Sequence, residues 1–226
     1  MPLHEKEFFV VDEGQVVINE NGVFLHSPKP LKTISSAVYN AGIGWYKTFV
    51  NRIVNPEYEF NHVEKEVEQF LAGEQLEKTE SVVMLTAIDP TTAIVKTYTQ
   101  AELSILIVVT AGVGNAIDAS KAQLRNEKPY AGTINTWVII NGNLTNEAFV
   151  QAMITATEAK SKALQEEQIF DTVSETIATG TGTDSLLIAA TQTGSSYQYA
   201  GPLTALGQLI GYSVCDATRK AIQHYK

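Results

Sequence analysis

The sequence predicts an α/β or α+β fold: one domain, mainly β-sheet, covered by about three to four helices. Three observations lead there. The consecutive segments Ser81–Ala87, Ala93–Thr99 and Leu103–Thr110 are β-branched and largely apolar, and strands apolar on both faces belong in a sheet that helices cover. Thr145–Gln165 carries the strongest helical pattern. Thr145 is its N-cap, Glu147 sits in the first turn, and Leu144 and Phe149 occupy hydrophobic-staple positions. Leu203–His224 reads as a closing helix. A chain of 226 residues with no linker-like stretch and no fixed-period repeat fits one domain over residues 1–226.

Earlier in the chain, Phe8–Val11 and Val16–Ile18 are short strand candidates. Asn21-Gly22 lies between Val16–Glu20 and Val23–His26. Such a dipeptide supplies the positive φ angles of a type I′ hairpin turn. Leu31–Val38 reads as a strand ending in Asn40-Ala41-Gly42-Ile43-Gly44. Asn61–Leu71 reads as a helix, with Asn61 as cap, Glu64 completing a capping box and Gly73 just past the end. Asn135–Asn141 is a further strand, and Glu175–Ala178 and Ser185–Thr191 are strands around a Gly-Thr loop. In the last helix, Gly207 and Gly211 stand four residues apart, a spacing that permits close approach of a neighbour.

Composition excludes several classes. The net charge is −9, from 16 Lys and Arg against 25 Asp and Glu. A nucleic-acid binder neutralises phosphates with basic side chains, so none is expected as a partner. The three arginines, Arg52, Arg125 and Arg219, also speak against a polyphosphate clamp. The single cysteine, Cys215, excludes an internal disulfide framework and reads as a small buried hydrophobe. His4, His26, His62 and His224 are scattered, so no metal site is expected and the histidines read as surface residues. The start, Met1–Glu7, is charged and has no apolar core of a signal peptide. The longest apolar run, Ile105–Val109, is too short to cross a bilayer. A cytoplasmic protein without membrane contact is the expectation, and a homo-oligomer is compatible with it.

Candidate chemistry gathers in glycine-containing turns. Thr110-Ala111-Gly112-Val113-Gly114-Asn115-Ala116 and Thr179-Gly180-Thr181-Gly182-Thr183-Asp184-Ser185 follow strands, and Tyr130-Ala131-Gly132-Thr133-Ile134-Asn135 precedes one. Neither Gly-x-Gly has the third glycine of a dinucleotide fingerprint, and no P-loop is present, so no cofactor is expected. Backbone N–H groups at such glycines, with Asn115, Thr133, Asn135, Thr181, Thr183 and Asp184 around them, can hold a polar group or an oxyanion. Lys160 adds a charge. At 100° per residue from Phe149, it falls at about 20°, inside the apolar stripe of Ala152, Met153, Ala156 and Ala163. A lysine there must snorkel outward or find a carboxylate such as Asp184. Glu158 falls at about 180°, on the opposite face.

Read together, these segments resemble the adenosylcobinamide amidohydrolase family. The matching stretches are Met84–Ala87, Thr110–Ala116, Gly132–Asn135, Ala156–Lys160, Ala178–Ser185 and Gly207–Gly211, in the family's order. Ser35-Ser36-Ala37 and Val54–Tyr58 look like its amino-terminal landmarks. The chain departs from the family at Ile117-Asp118-Ala119-Ser120, where a Gly-Asp pair is the pattern. The resemblance implies a metal-independent amide hydrolysis with no cofactor. Adenosylcobinamide, a corrinoid, would be cut between its corrin propionyl group and aminopropanol, giving adenosylcobyric acid for corrinoid salvage and cobalamin biosynthesis. A corrinoid-binding module without catalysis, or hydrolysis of a different amide, are the competing readings. By chemistry, Asp184 or Glu158 is the base and Lys160 polarises or protonates. Thr181 or Thr183 competes with water as nucleophile. Asn115 and Asn135 hold the carbonyl, with Thr133, Ser36 and the turns at Gly112, Gly114, Gly180 and Gly182 completing the binding site. A flat corrin calls for apolar or aromatic walls, with Trp45, Tyr46, Trp137, Tyr197 and Tyr199 as candidates.

Overall fold

In the computed structural model, which describes residues 9–59, 61–125 and 132–225, the apolar segments in the middle of the chain form adjacent strands. The elements are β1 (Val16–Asn19), β2 (Gly22–Ser35), β3 (Gly42–Ile53), α1 (Val63–Gly73), β4 (Ser81–Thr86), β5 (Ile94–Gln100), β6 (Leu103–Ala111), β7 (Ala116–Ile117), β8 (Ile134–Ile140), β9 (Asn143–Leu144), α2 (Asn146–Glu166), β10 (Gly180–Thr181), β11 (Ser185–Ala190), β12 (Ser196–Tyr197) and α3 (Ala205–Tyr225). Eight of the strands form one mixed sheet in the order β4-β3-β2-β11-β8-β6-β5, with β1 paired to β2. β3 with β4 and β8 with β11 are parallel. α2 lies in the crossover between β8 and β11, as a parallel pair requires. Two-residue ladders, β7 with β10 and β9 with β12, tie the loops on either side.

The sheet curls on itself because β2 bends. It runs through Pro28 and Pro30, and its register against β3 shifts between His26 and Leu31. Proline has no N–H for a ladder, so pairing breaks there and the strand turns. The inner face of the β2–β4 half then meets that of the β6–β8–β11 half. Leu25, Phe49 and Met84 share one core with Leu106, Trp137 and Leu187. The Phe49 and Trp137 ring centroids lie 6.4 Å apart, and Trp137 Nε1 donates to Met84 Sδ at 3.3 Å.

On the outer face, α2 and α3 cover the centre of the sheet. Ile107, Val138 and Ile188 pack with Phe149 of α2 and Ile210 and Val214 of α3. α1 covers the other half through Val67 and Leu71 against Val50 and Val83. Every residue of β8 is buried. Full burial of one large aliphatic side chain is worth roughly 1.5–3 kcal/mol, so this strand, sandwiched between both cores, is the main anchor of the sheet. No helix among the described residues is long and apolar enough to cross a membrane.

Several local expectations change. Phe8 lies outside the described residues, and Phe9–Val11 is not a strand. Val11 is held instead by the side chain of Asn141, which accepts its N–H at 2.8 Å and donates to its carbonyl at 3.0 Å. The β1–β2 hairpin forms with Glu20 and Asn21 as its loop and Gly22 already paired to Asn19. Neither loop residue has positive φ, so the turn is not type I′. Gly22 is needed for another reason: its φ is 149°, and a Cβ would collide with the Asn51 carbonyl oxygen. Val23–His26 and Leu31–Ser35 are one strand, and Gly42–Ile53, read as the end of a strand, is a long strand of its own.

The cap of α1 is His62, without a side-chain bond, while Asn61 turns to Glu59 Oε2. Gly73 is its last residue, and Gln75 adopts the positive φ. Glu175–Ala178 contributes only a single bridge, Phe170 to Ile177. Thr145 caps α2 as expected, accepting from the Ala148 N–H at 3.2 Å.

Gly207 lets α3 rest on the loop before it. A Cβ there would overlap the Gly201 carbonyl and lie 2.5 Å from the Ala200 oxygen, whereas one at Gly211 would meet Thr155 Cγ2 at an ordinary 3.8 Å. Gly207→Ala is therefore expected to lower stability by about 1–3 kcal/mol, and Gly211→Ala to change it little. Denaturant midpoints of the two variants check this, and equal midpoints would refute it.

Candidate active site

The start of β11 lies beside the start of β8, with Ser185 opposite Asn135. Asp184, one residue earlier, stands on the rim of the curled sheet. From the outer side, α2 brings Lys160, and its ammonium pairs with Asp184 Oδ2. Each side chain is only 16% exposed. Partial burial of an ion costs several kcal/mol unless a partner compensates, so the inward lysine and this carboxylate require each other. Gly180 makes room for the pair: a Cβ there would lie 2.7 Å from Lys160 Nζ and would also overlap Asp184 Oδ2.

Asp184 is held firmly. Its Oδ1 accepts the Ile134 N–H at 3.0 Å and the Thr181 hydroxyl at 2.5 Å. A carboxylate offers about four lone-pair positions. Oδ1 has two donors and Oδ2 has Lys160, which leaves one position on Oδ2. Around it, the Thr133 hydroxyl donates to the Thr183 carbonyl at 2.8 Å, and the Thr183 hydroxyl donates to the Gly132 carbonyl at 3.2 Å. Ser36 and Ser185 interlock, with Ser185 Oγ donating to the Ser36 carbonyl at 2.9 Å and Ser36 Oγ accepting the Leu186 N–H at 3.0 Å.

Two small cavities flank this carboxylate and share Ser36, Asp184 and Ser185 as walls. One, of about 210 Å³, opens between α2 and the sheet and is also lined by Lys160, Ala156, Thr157 and Ile134. The other, of about 220 Å³, lies on the rim beside Thr133, Asn135, Thr183, Leu85 and Val54. Beneath the second cavity runs a buried amide chain. Asn135 Nδ2 donates to Asn51 Oδ1 at 2.7 Å and to the Leu85 carbonyl at 2.8 Å, and Asn51 Nδ2 donates to Thr110 Oγ1 at 2.8 Å.

The structure thus brings together Lys160, Asp184, Thr181, Thr183, Gly180, Thr133, Asn135 and Ser36. Asn135 has both amide protons engaged, so it braces the cavity wall and offers no donor to a ligand. Gly182 belongs to the same loop but faces Ile117. Asn115 is buried one layer back against Gly132 and lines neither cavity. Gly112 and Gly114 face Ile88 and Tyr225, not the carboxylate, because their turn packs on the end of α3. Glu158 is exposed and lines a different concavity on α2. Trp137 is core, and none of Trp45, Tyr46, Tyr197 or Tyr199 lines these cavities. His26, His62 and His224 are exposed, while His4, Tyr130 and Ala131 lie outside the described residues. Cys215 is half-buried, and burial pushes its thiol pKa up, against nucleophilic character.

Sequence reasoning missed Ser185 and Asn51. Ser185 stands next to Asp184 at the end of the Thr179–Ser185 turn, where it opens β11. Asn51 interrupts the apolar run Phe49-Val50, the signal of a buried amide, but its strand was not recognised.

A second buried ion pair braces the loops behind the site. Asp171, 1% exposed, accepts from Arg125 Nη2 at 2.6 Å, the Val173 N–H at 2.9 Å and the Asp118 N–H at 3.1 Å. Burial alone would raise its pKa, but the guanidinium and the N–H groups outweigh burial and hold it well below the carboxylate range. Asp118 accepts from Thr176 Oγ1 at 2.7 Å and from Ser120 N at 2.9 Å, and these bonds lower its pKa too. Its place is structural.

Comparison with known proteins agrees with the sequence pattern. The family model described as adenosylcobinamide amidohydrolase matches residues 8–226. An uncharacterized protein of Methanocaldococcus jannaschii is 43% identical over 96 residues, 42% of this chain and 37% of that protein. An uncharacterized ABC transporter ATP-binding protein of Bacillus subtilis is 23% identical over 219 residues, 95% of this chain and 39% of that protein. The chain spans less than half the length of these two curated relatives. A crystal structure of a Pyrococcus horikoshii protein superposes over 100% of this chain and 82% of its own, with a TM-score of 0.45 and 8% identity.

The Asp171 carboxyl gives up its proton more readily folded than unfolded, so it stabilises the fold above its unfolded pKa of about 3.9 and loses that effect as pH falls below it. Asp171→Ala removes one partner of a buried pair and is expected to cost about 3–5 kcal/mol at pH 7. Asp171→Asn should flatten the loss of stability below about pH 4. Urea midpoints at neutral and acid pH measure both, and an unaltered acid limb would refute the assignment.

Proposed function

The chain belongs to the adenosylcobinamide amidohydrolase family, and from that premise we propose that it hydrolyses the amide between aminopropanol and the corrin propionyl group of adenosylcobinamide, giving adenosylcobyric acid, in corrinoid salvage. The observation that carries the reading is the Lys160–Asp184 pair set between two cavities. Hydrolysis needs a base for water, a positive group for the developing oxyanion and a proton for the leaving amine.

In the proposed reaction, water lies at the remaining lone pair of Asp184 Oδ2. Asp184 takes a proton as the water oxygen bonds to the carbonyl carbon. The Lys160 ammonium, beside the same oxygen, stabilises the negative charge that forms on the carbonyl oxygen. The C–N bond then breaks, and the proton held by Asp184 passes to the departing amine nitrogen. The products are a carboxylic acid and aminopropanol, with no net proton taken from the protein. Ile134 N–H and Thr181 orient the base. Asn135, Asn51 and Thr110 keep its surroundings rigid.

Asp184→Asn is expected to lower kcat by about 10²–10⁴-fold in a chain that still folds, at some cost in stability because Lys160 loses its counter-charge. Mass analysis of the corrinoid after incubation reads it, alongside thermal unfolding of the variant. Turnover near the wild-type rate would exclude Asp184 as the base, and an unchanged corrinoid mass with the wild-type chain would exclude the reaction.

A further inference from the structure

We propose that the open apolar concavity on the outer side of α2 is the seat of the corrin body while its amide-bearing arm reaches Asp184. The inference rests on the corrinoid reading above and names a binding surface for it. The concavity has a volume of about 770 Å³ and a floor of Met153, Ile154, Ile177 and Ala178, with Glu158, Lys162 and Gln165 on its rim.

Size is the first argument. Pockets for ligands of drug size and above run to roughly 300–1,000 Å³. The cavities of about 210 and 220 Å³ beside Asp184 hold a side arm and no macrocycle. Most of the substrate must lie outside them.

Continuity is the second. The concavity and the Lys160 cavity share Met153 and Thr157 as walls, so the two adjoin where α2 turns from its Lys160 face to its outer face. Its far wall, Ile177–Thr179, runs directly into the Gly180–Asp184 loop, and Ser161 Oγ fastens that wall to α2 by donating to the Thr179 carbonyl at 3.0 Å. The third argument is chemistry. An apolar floor with carboxylate, ammonium and amide groups on its rim suits a flat ring fringed with amide side chains, which both donate and accept hydrogen bonds. Ile154 is 52% exposed there, which leaves an aliphatic side chain in water until a ligand covers it.

The test uses the slowed Asp184→Asn chain as host and equilibrium dialysis against adenosylcobinamide, with the corrinoid mass checked at the end. Ile154→Glu in that host keeps a good helix former at a half-exposed position and puts charge on the floor. It is expected to weaken retention by about tenfold or more. Val150→Glu makes the same charge change one turn earlier, at a residue 53% exposed and outside the concavity. It should alter retention by no more than about twofold. Equal retention by the Ile154→Glu chain and its host overturns the seat, even if the wild-type chain cleaves the corrinoid. Loss of retention with Ile154→Glu but no cleavage by the wild type keeps the seat and overturns the reaction. No retention by the host overturns the seat and leaves the reaction to be decided by cleavage with the wild-type chain.

Discussion

A lysine on the buried stripe of a helix is the constraint from which the site follows. α2 cannot pack Ala156 and Ala163 against the sheet without carrying Lys160 inward. The ammonium then needs a carboxylate at a fixed place, and the loop before β11 provides it. That loop must come close, which removes the side chain at position 180, and it must hold its carboxylate still, which brings in Thr181 and the Ile134 N–H. Removing one partner of such a pair leaves a charge with too little water and too few donors, so the pair resists drift in either residue alone.

The same logic explains the polar residues inside the sheet. Asn51, Thr110 and Asn135 lie on strands whose neighbours are apolar, and unpaired amides there would cost about 1–3 kcal/mol each. They are tolerated because the curl of the sheet brings β3 over β6 and β8, and each amide finds the next. The bend at Pro28 and Pro30 thus has a chemical consequence. It closes the inner core at one end with hydrogen bonds, and the end so closed is the rim on which Asp184 stands.

Much of this was legible in the residues. Continuous β-branched apolar runs gave β4, β5, β6, β8 and β11, and helical periodicity with a threonine cap gave α2 and the inward Lys160. Charge on an apolar face left Lys160 to snorkel outward or to pair with a carboxylate such as Asp184, and the structure contains the pair. What was hidden depended on contacts distant in sequence. β3 carries Trp45, Lys47 and Asn51 among glycines and lacks clean alternation, because it pairs on β4 only from Thr48 onward. Gly22 looked like a turn residue, yet its role is to clear the Asn51 carbonyl on the neighbouring strand β3. Gly112 and Gly114 looked like ligand loops, but the close approach they permit is to Ile88 and Tyr225. Glycine in a sequence marks a tight approach and does not say to what. Asp171 and Arg125, 46 residues apart in sequence, carried no local signal of a buried pair.

The position of the site on the strands bears on how the chemistry is divided. In parallel sheets ligands gather beyond the carboxyl ends of strands, where helix N-termini point. Here Asp184 and Ile134 stand at the amino ends of β11 and β8, and the helix in the crossover presents a mid-helix lysine, not its N-terminus. The positive charge at the rim is therefore an ion on a flexible stem, which in the proposed reaction shifts between Asp184 and the nascent oxyanion. A carboxylate fixed by two donors on one oxygen, and shared with a movable ammonium on the other, separates orientation from reactivity. Oδ1 is anchored, and Oδ2 is the oxygen on which, in the proposed reaction, a proton can arrive as Lys160 turns toward the substrate.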